Sequence, residues 1–134
     1  MLGSTVNLSV GLPPEEHMKA LNHKELCEIA CKWLRRARHQ HEASKTAPAC
    51  KNAFSELKTY MYRGEIVDSI GFSTESSQTT SVLVESKISV SDFRADFKKP
   101  RRVNPDLGVG DFRYYIVPEG LISIEDLPPK WGLI

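Results

Sequence analysis

The chain has 134 residues, 40% hydrophobic and 26% charged, with a net charge of +1, a profile that fits one globular domain and excludes a disordered, fibrous or uniformly basic protein. No apolar run approaches the roughly 18 residues of a membrane span, and residues 1–12 lack the charged and apolar segments of a secretory leader, so the expected compartment is the cytoplasm. Three cysteines, Cys27, Cys31 and Cys50, are an odd number and argue for reduced thiols over a disulfide framework.

Residues 1–20, with Pro13-Pro14 and small residues at Gly3, Ser4 and Thr5, show no periodicity and read as an irregular arm before a single domain over residues 21–134. Across residues 21–38, Leu26, Ile29, Ala30, Trp33, Leu34 and Ala37 fall on one helical face, and Lys24, Glu25, Glu28, Lys32, Arg35 and Arg36 on the other. This is an amphipathic helix with Asn22 as its cap. Residues 40–48 read as a loop. Residues 53–62 and the alternating stretch 65–72 read as a β-hairpin around Arg63-Gly64. Residues 73–81, nearly all Ser, Thr, Gln and Glu, form an exposed connection before a strand over 81–88.

Ser91 is read as the cap of a helix that carries Phe93 and Phe97 on one face and stops at Pro100. Residues 111–117 then read as a strand, residues 123–127 as a helical turn, and residues 131–134 as a final short strand. The expected architecture is α/β in the α+β sense, a mixed β-sheet flanked by helices. Residues 87–102 hold six basic side chains, Lys87, Arg94, Lys98, Lys99, Arg101 and Arg102, against Asp92 and Asp96. A local positive field of this kind suits a phosphate backbone, and it also suits a solvated helix face.

Glu85 and Lys87 lie two apart on a strand, so they share one face about 6.6 Å apart. Pairing of 65–72 with 81–88 brings Asp68 beside Glu85. Two carboxylates held together repel unless a cation joins them, and oxygen ligands favour Mg²⁺ or Mn²⁺ over zinc. With Lys87 nearby, the set suits hydrolysis of a phosphodiester: the metal polarises the phosphoryl group, and the ammonium offsets growing negative charge. A cross-strand salt bridge uses the same residue types.

The stretches Gly64-Glu65-Ile66-Val67-Asp68-Ser69-Ile70-Gly71-Phe72 and Val82-Leu83-Val84-Glu85-Ser86-Lys87 resemble the core of the PD-(D/E)XK nuclease superfamily. The continuation Ser89-Val90-Ser91-Asp92-Phe93-Arg94-Ala95-Asp96-Phe97-Lys98-Lys99 is similar to the following helix in MmcB-like DNA repair proteins and related phage-encoded nuclease-like proteins. Similarity extends to the closing segments, Gly110-Asp111-Phe112-Arg113-Tyr114-Tyr115-Ile116-Val117-Pro118, Gly120-Leu121-Ile122 and Leu127-Pro128-Pro129-Lys130-Trp131-Gly132-Leu133-Ile134. The resemblance implies a restriction-endonuclease-like core and DNA as substrate. It puts Asp68, Glu85 and Lys87 at catalytic positions and gives Asp68 and Glu85, with Glu56 one strand earlier, as the ligands of Mg²⁺ or Mn²⁺. Arg94, Lys98, Lys99, Arg101 and Arg102 are the expected nucleic-acid contacts. Val67 stands where the superfamily name has proline. Glu25 or Glu28 would match a first-helix glutamate of many relatives, although both lie on the polar face.

Other chemistry lacks a starting residue. There is no G-x-S-x-G elbow, phosphate-cradling glycine loop or dinucleotide fingerprint. His23, Cys27 and Cys31 recur every four residues along one helical stripe, followed by His39, His41 and Cys50. The intervals match neither C-x₂-C nor paired histidine patterns, so the thiols are read as small buried hydrophobes. Tyr114 and Tyr115 are read as packing residues. Two functions remain: a metal-dependent DNA endonuclease or repair-type nuclease, and a catalytically inactive nuclease-fold module that binds DNA or inhibits a host-defence protein. With no separate recognition domain expected, sequence specificity would need a homodimer or a protein partner, or else DNA is recognised by its structure rather than by its bases.

Overall fold

In the computed structural model, which describes residues 21–36, 47–58, 66–75, 77–99 and 109–134, the first element starts at the expected cap. Helix α1 spans His23–Leu34. The Asn22 side chain accepts the Glu25 amide at 2.9 Å, and the Glu25 carboxylate accepts the Asn22 amide at 3.2 Å, so both members of a capping box are made. Glu25 thus serves the cap, and Glu28 is exposed. The helix buries Leu26, Cys27, Ala30, Cys31, Trp33 and Leu34 and ends about a turn before the expected boundary.

Strands β1 (Asn52–Lys58), β2 (Ile66–Ser73) and β3 (Thr80–Ser86) form an antiparallel meander. Helix α2 (Val90–Asp96) follows, then β4 (Phe112–Ile116), a 3₁₀ turn (Ile124–Asp126) and β5 (Trp131–Leu133). β4 pairs parallel to β3, and β5 parallel to β4, giving the order β1-β2-β3-β4-β5. The cap of α2 is Ser89, whose hydroxyl accepts the Asp92 amide at 3.1 Å, and not Ser91. β3 keeps its ladder only as far as Lys87, whose amide donates to the Ile116 carbonyl at 3.0 Å. Only Ile88 separates that residue from the cap.

The sheet is covered on both faces. On one, Leu26, Ala30, Trp33 and Leu34 of α1 pack with Val82, Val84, Tyr114 and Ile116. On the other, Phe93 of α2 packs with Ile70, Leu83, Tyr115, Trp131 and Leu133. Double coverage explains why β3 reads as the continuous apolar run Val82-Leu83-Val84. It also explains why both tyrosines are buried, one on each side. The fold is therefore a mixed five-stranded sheet flanked by helices. Among the described residues, no helix is long and apolar enough to cross a membrane. The arm at 1–20, the Arg63-Gly64 turn, His39, His41, Arg101 and Arg102 lie outside the described residues.

Candidate functional site

The site forms where β2 parts from β3. Their pairs run from Ser73–Thr80 to Ser69–Val84, which leaves Asp68 and Glu85 at the next step. There the Ser86 amide donates to the Asp68 carboxylate at 2.9 Å. The side-chain alternation of β2 also breaks at this point, because Val67 and Ile70 both enter the cluster under α2 although strict alternation would put them on opposite faces. Asp68 is thus freed to reach across the strand ends.

Asp68 and Glu85 share a side-chain hydrogen bond. Two carboxylates in such contact repel one another when both are ionised. Glu85 is only 2% exposed, and burial pushes the Asp68 carboxyl up. The Glu85 bond, the Ser86 amide and the charges of His23 and Lys87 outweigh burial and hold Asp68 below its ordinary value. A divalent cation between them would relieve that repulsion, so the donor chemistry of this pair fits Mg²⁺ or Mn²⁺.

Lys87 is buried, and its ammonium lies 3.3 Å from Oδ1 of Asp96. Its structural partner is therefore Asp96 of α2 and not Glu85, the salt-bridge partner the strand spacing suggests. The same Asp96 oxygen meets Lys99 Nζ at 2.7 Å, and Oδ2 accepts the Tyr115 hydroxyl. Asp96 is an unforeseen member of the site. Its signal is position: with Phe93 and Phe97 it falls at i, i+3 and i+4, so an acid sits on the apolar stripe of a short helix.

Of the other expected residues, Glu56 is exposed and stands opposite Asp68, between the Ser55–Ser69 and Leu57–Val67 pairs. Three carboxylates, Glu56, Asp68 and Glu85, thus follow one another across three strands. Glu56 has a φ of 52°, a left-handed conformation that costs a non-glycine residue about 1–3 kcal/mol. Arg94 is exposed on α2 and Lys98 in the turn that follows it, whereas Lys99 is tied to Asp96.

Nothing in the sequence brings the α1 stripe to Asp68, and the structure joins them. His23 Nε2 is 3.3 Å from Asp68 Oδ1, and His23 Nδ1 is 3.8 Å from Cys27 Sγ. Cys27 is held on the sheet by two serines: its thiol donates to the Ser86 hydroxyl at 3.4 Å, and its carbonyl accepts the Ser69 hydroxyl at 3.3 Å. Burial, with a contribution from the Asp68 charge, pushes the Cys27 thiol up. The polar groups form one row from His23 through Asp68, Glu85 and Lys87 to Asp96, crossing the end of the sheet from α1 to α2. Against known proteins, the chain matches no family model, no curated protein and no solved structure.

Proposed function

We propose that this chain is a metal-dependent nuclease of the PD-(D/E)XK type that hydrolyses phosphodiester bonds of DNA in the cytoplasm. The observation that carries the reading is the contact of Asp68 and Glu85 from neighbouring strands, with the Lys87 charge acting on the same carboxylate. In this reading Asp68 and Glu85 hold Mg²⁺ or Mn²⁺, with Glu56 able to join from β1. A bound divalent ion there supplies Lewis-acid polarisation of the phosphoryl group and a water acidified for attack. Lys87 orients that water and offsets charge that grows in the transition state. Arg94 and Lys98 meet the DNA backbone, and a second copy or a protein partner supplies sequence choice.

The test is cleavage of duplex, single-stranded and branched DNA with Mg²⁺, with Mn²⁺ and with chelator. Metal-dependent cleavage that falls by roughly 10²-fold or more in Asp68→Asn and Glu85→Gln supports the reading. Cleavage that survives either substitution, or the chelator, overturns it. The engagement of Lys87 by Asp96 favours a second reading, a nuclease-fold module that binds DNA without cutting it. Binding without cleavage on every DNA form would select that alternative.

A further inference from the structure

We propose that His23, Cys27 and Asp68 form a binding site for a thiophilic divalent cation, Zn²⁺, with one coordination position left to water, and that Zn²⁺ there competes with Mg²⁺ for Asp68. The second clause rests on the nuclease reading; the first does not. One nitrogen of His23, the Cys27 sulfur and one Asp68 oxygen lie within 4.8 Å of one another. Zn–S and Zn–N bonds of about 2.3 and 2.0–2.1 Å set tetrahedral edges of roughly 3.3–3.8 Å. The 3.8 Å between Cys27 Sγ and His23 Nδ1 already meets that length, whereas Asp68 Oδ1 contacts the other ring nitrogen, Nε2, at 3.3 Å, so the carboxylate must turn towards Nδ1 for all three to share one ion.

The site is built before any ion arrives. His23 and Cys27 are i and i+4 on a capped helix, so they project side by side. Ser69 and Ser86 pin the Cys27 carbonyl and thiol, and the Ser86 amide holds the Asp68 carboxylate. Such outer contacts fix ligand orientation, and losing one typically costs 10–100-fold in metal affinity. The His23 side chain is 39% exposed and that of Asp68 18%, so an ion enters from their side while the buried thiol forms the floor. A thiolate with an imidazole selects Zn²⁺ over Mg²⁺, since hard ions take oxygen ligands. On binding, the Cys27 thiol loses its proton to solvent and the sulfur takes the metal. Asp68 is then no longer available to a cation shared with Glu85.

The experiment is titration of the whole chain with Co²⁺ under reducing conditions, followed by absorption. The expected result is a thiolate-to-cobalt charge-transfer band with intense visible bands of four-coordinate cobalt, erased by one equivalent of Zn²⁺ and not by one equivalent of Mg²⁺. Cys27→Ser removes the charge-transfer band, and His23→Gln, which deletes a ligand, weakens Co²⁺ binding by at least the roughly 10–100-fold that loss of an outer contact costs. Circular dichroism reports folding. Because His23 is half-exposed, its variant decides the matter should the cysteine variant fail to fold. No thiolate band in the wild type, or Co²⁺ affinity unchanged in His23→Gln, overturns the site, whatever the protein does to DNA. If the wild type cuts DNA, Zn²⁺ suppresses Mg²⁺-dependent cleavage, and Cys27→Ser cuts without that suppression. Cleavage indifferent to stoichiometric Zn²⁺ overturns the competition alone.

Discussion

Lys87 carries two interactions that separate substitutions can tell apart. Its ammonium neutralises Asp96 at 3.3 Å, and its charge also holds Asp68 down. Removing one partner of a buried ion pair ordinarily costs about 3–5 kcal/mol because the other charge is stranded. Asp96 keeps Lys99 and the Tyr115 hydroxyl, so Lys87→Met should cost less, about 1–3 kcal/mol, the scale of a lost buried polar contact. If Lys87 acts on the scissile phosphate, Lys87→Met should lose roughly 10²-fold or more in single-turnover cleavage. Asp96→Asn, which destabilises without touching the phosphate, should stay within a few-fold of wild type below its melting point. Equal losses of rate in the two variants, tracking their melting points, would make Lys87 a structural residue.

Between elements, β2 is closely approached at Gly71 by Cys50, which precedes β1, and by Leu34 of α1. A Cβ added there would lie 2.7 Å from Cys50 Sγ, 2.8 Å from Cys50 Cβ and 3.3 Å from Leu34 Cδ2. Gly71→Ala should therefore cost about 1–3 kcal/mol in chemical denaturation, the price of overpacking. Cys50→Ala in that background should recover only part of the loss, because its Cβ remains. Full recovery would mean that sulfur alone sets the spacing. The elements themselves were largely legible in the sequence. The Asn22-x-x-Glu25 box and the apolar stripe of α1 are local signals, and the meander register that sets Asp68 against Glu85 follows from short connections. What sequence cannot fix is how a helix is rotated and slid on a sheet, and that decides whether His23 and Cys27 meet Asp68. The same applies to Lys87, whose partner Asp96 comes from another element. For the α2 cap, Ser89 and Ser91 are both suitable residues, and the end of the β3 ladder at Lys87 chooses the earlier one.

At the scale of the whole molecule, the sheet divides the interior into two apolar halves, and the row from His23 to Asp96 is the polar seam where its strand ends open. On the α2 side, Phe93 faces the sheet and Asp96 absorbs both Lys87 and Lys99, so the basic segment holds fewer uncommitted charges than its composition suggests. Arg94 and Lys98 are the exposed cations of its described part. Each cation that neutralises a phosphate releases a counterion, which steepens the fall of log K with log salt by about 0.9 on duplex DNA and 0.7 on a single strand. Arg94→Ala with Lys98→Ala should therefore flatten the duplex slope by roughly 1.8 while leaving the melting temperature nearly unchanged, because neither residue is buried. Lys99→Ala should do the reverse: little change in slope, but lower stability, since Asp96 would then lose one of its two cations. Fluorescence anisotropy across a salt series, beside thermal melts of the same variants, separates these outcomes. A slope unaltered in the Arg94 and Lys98 double variant would assign those charges to solvent and move DNA contact to another face.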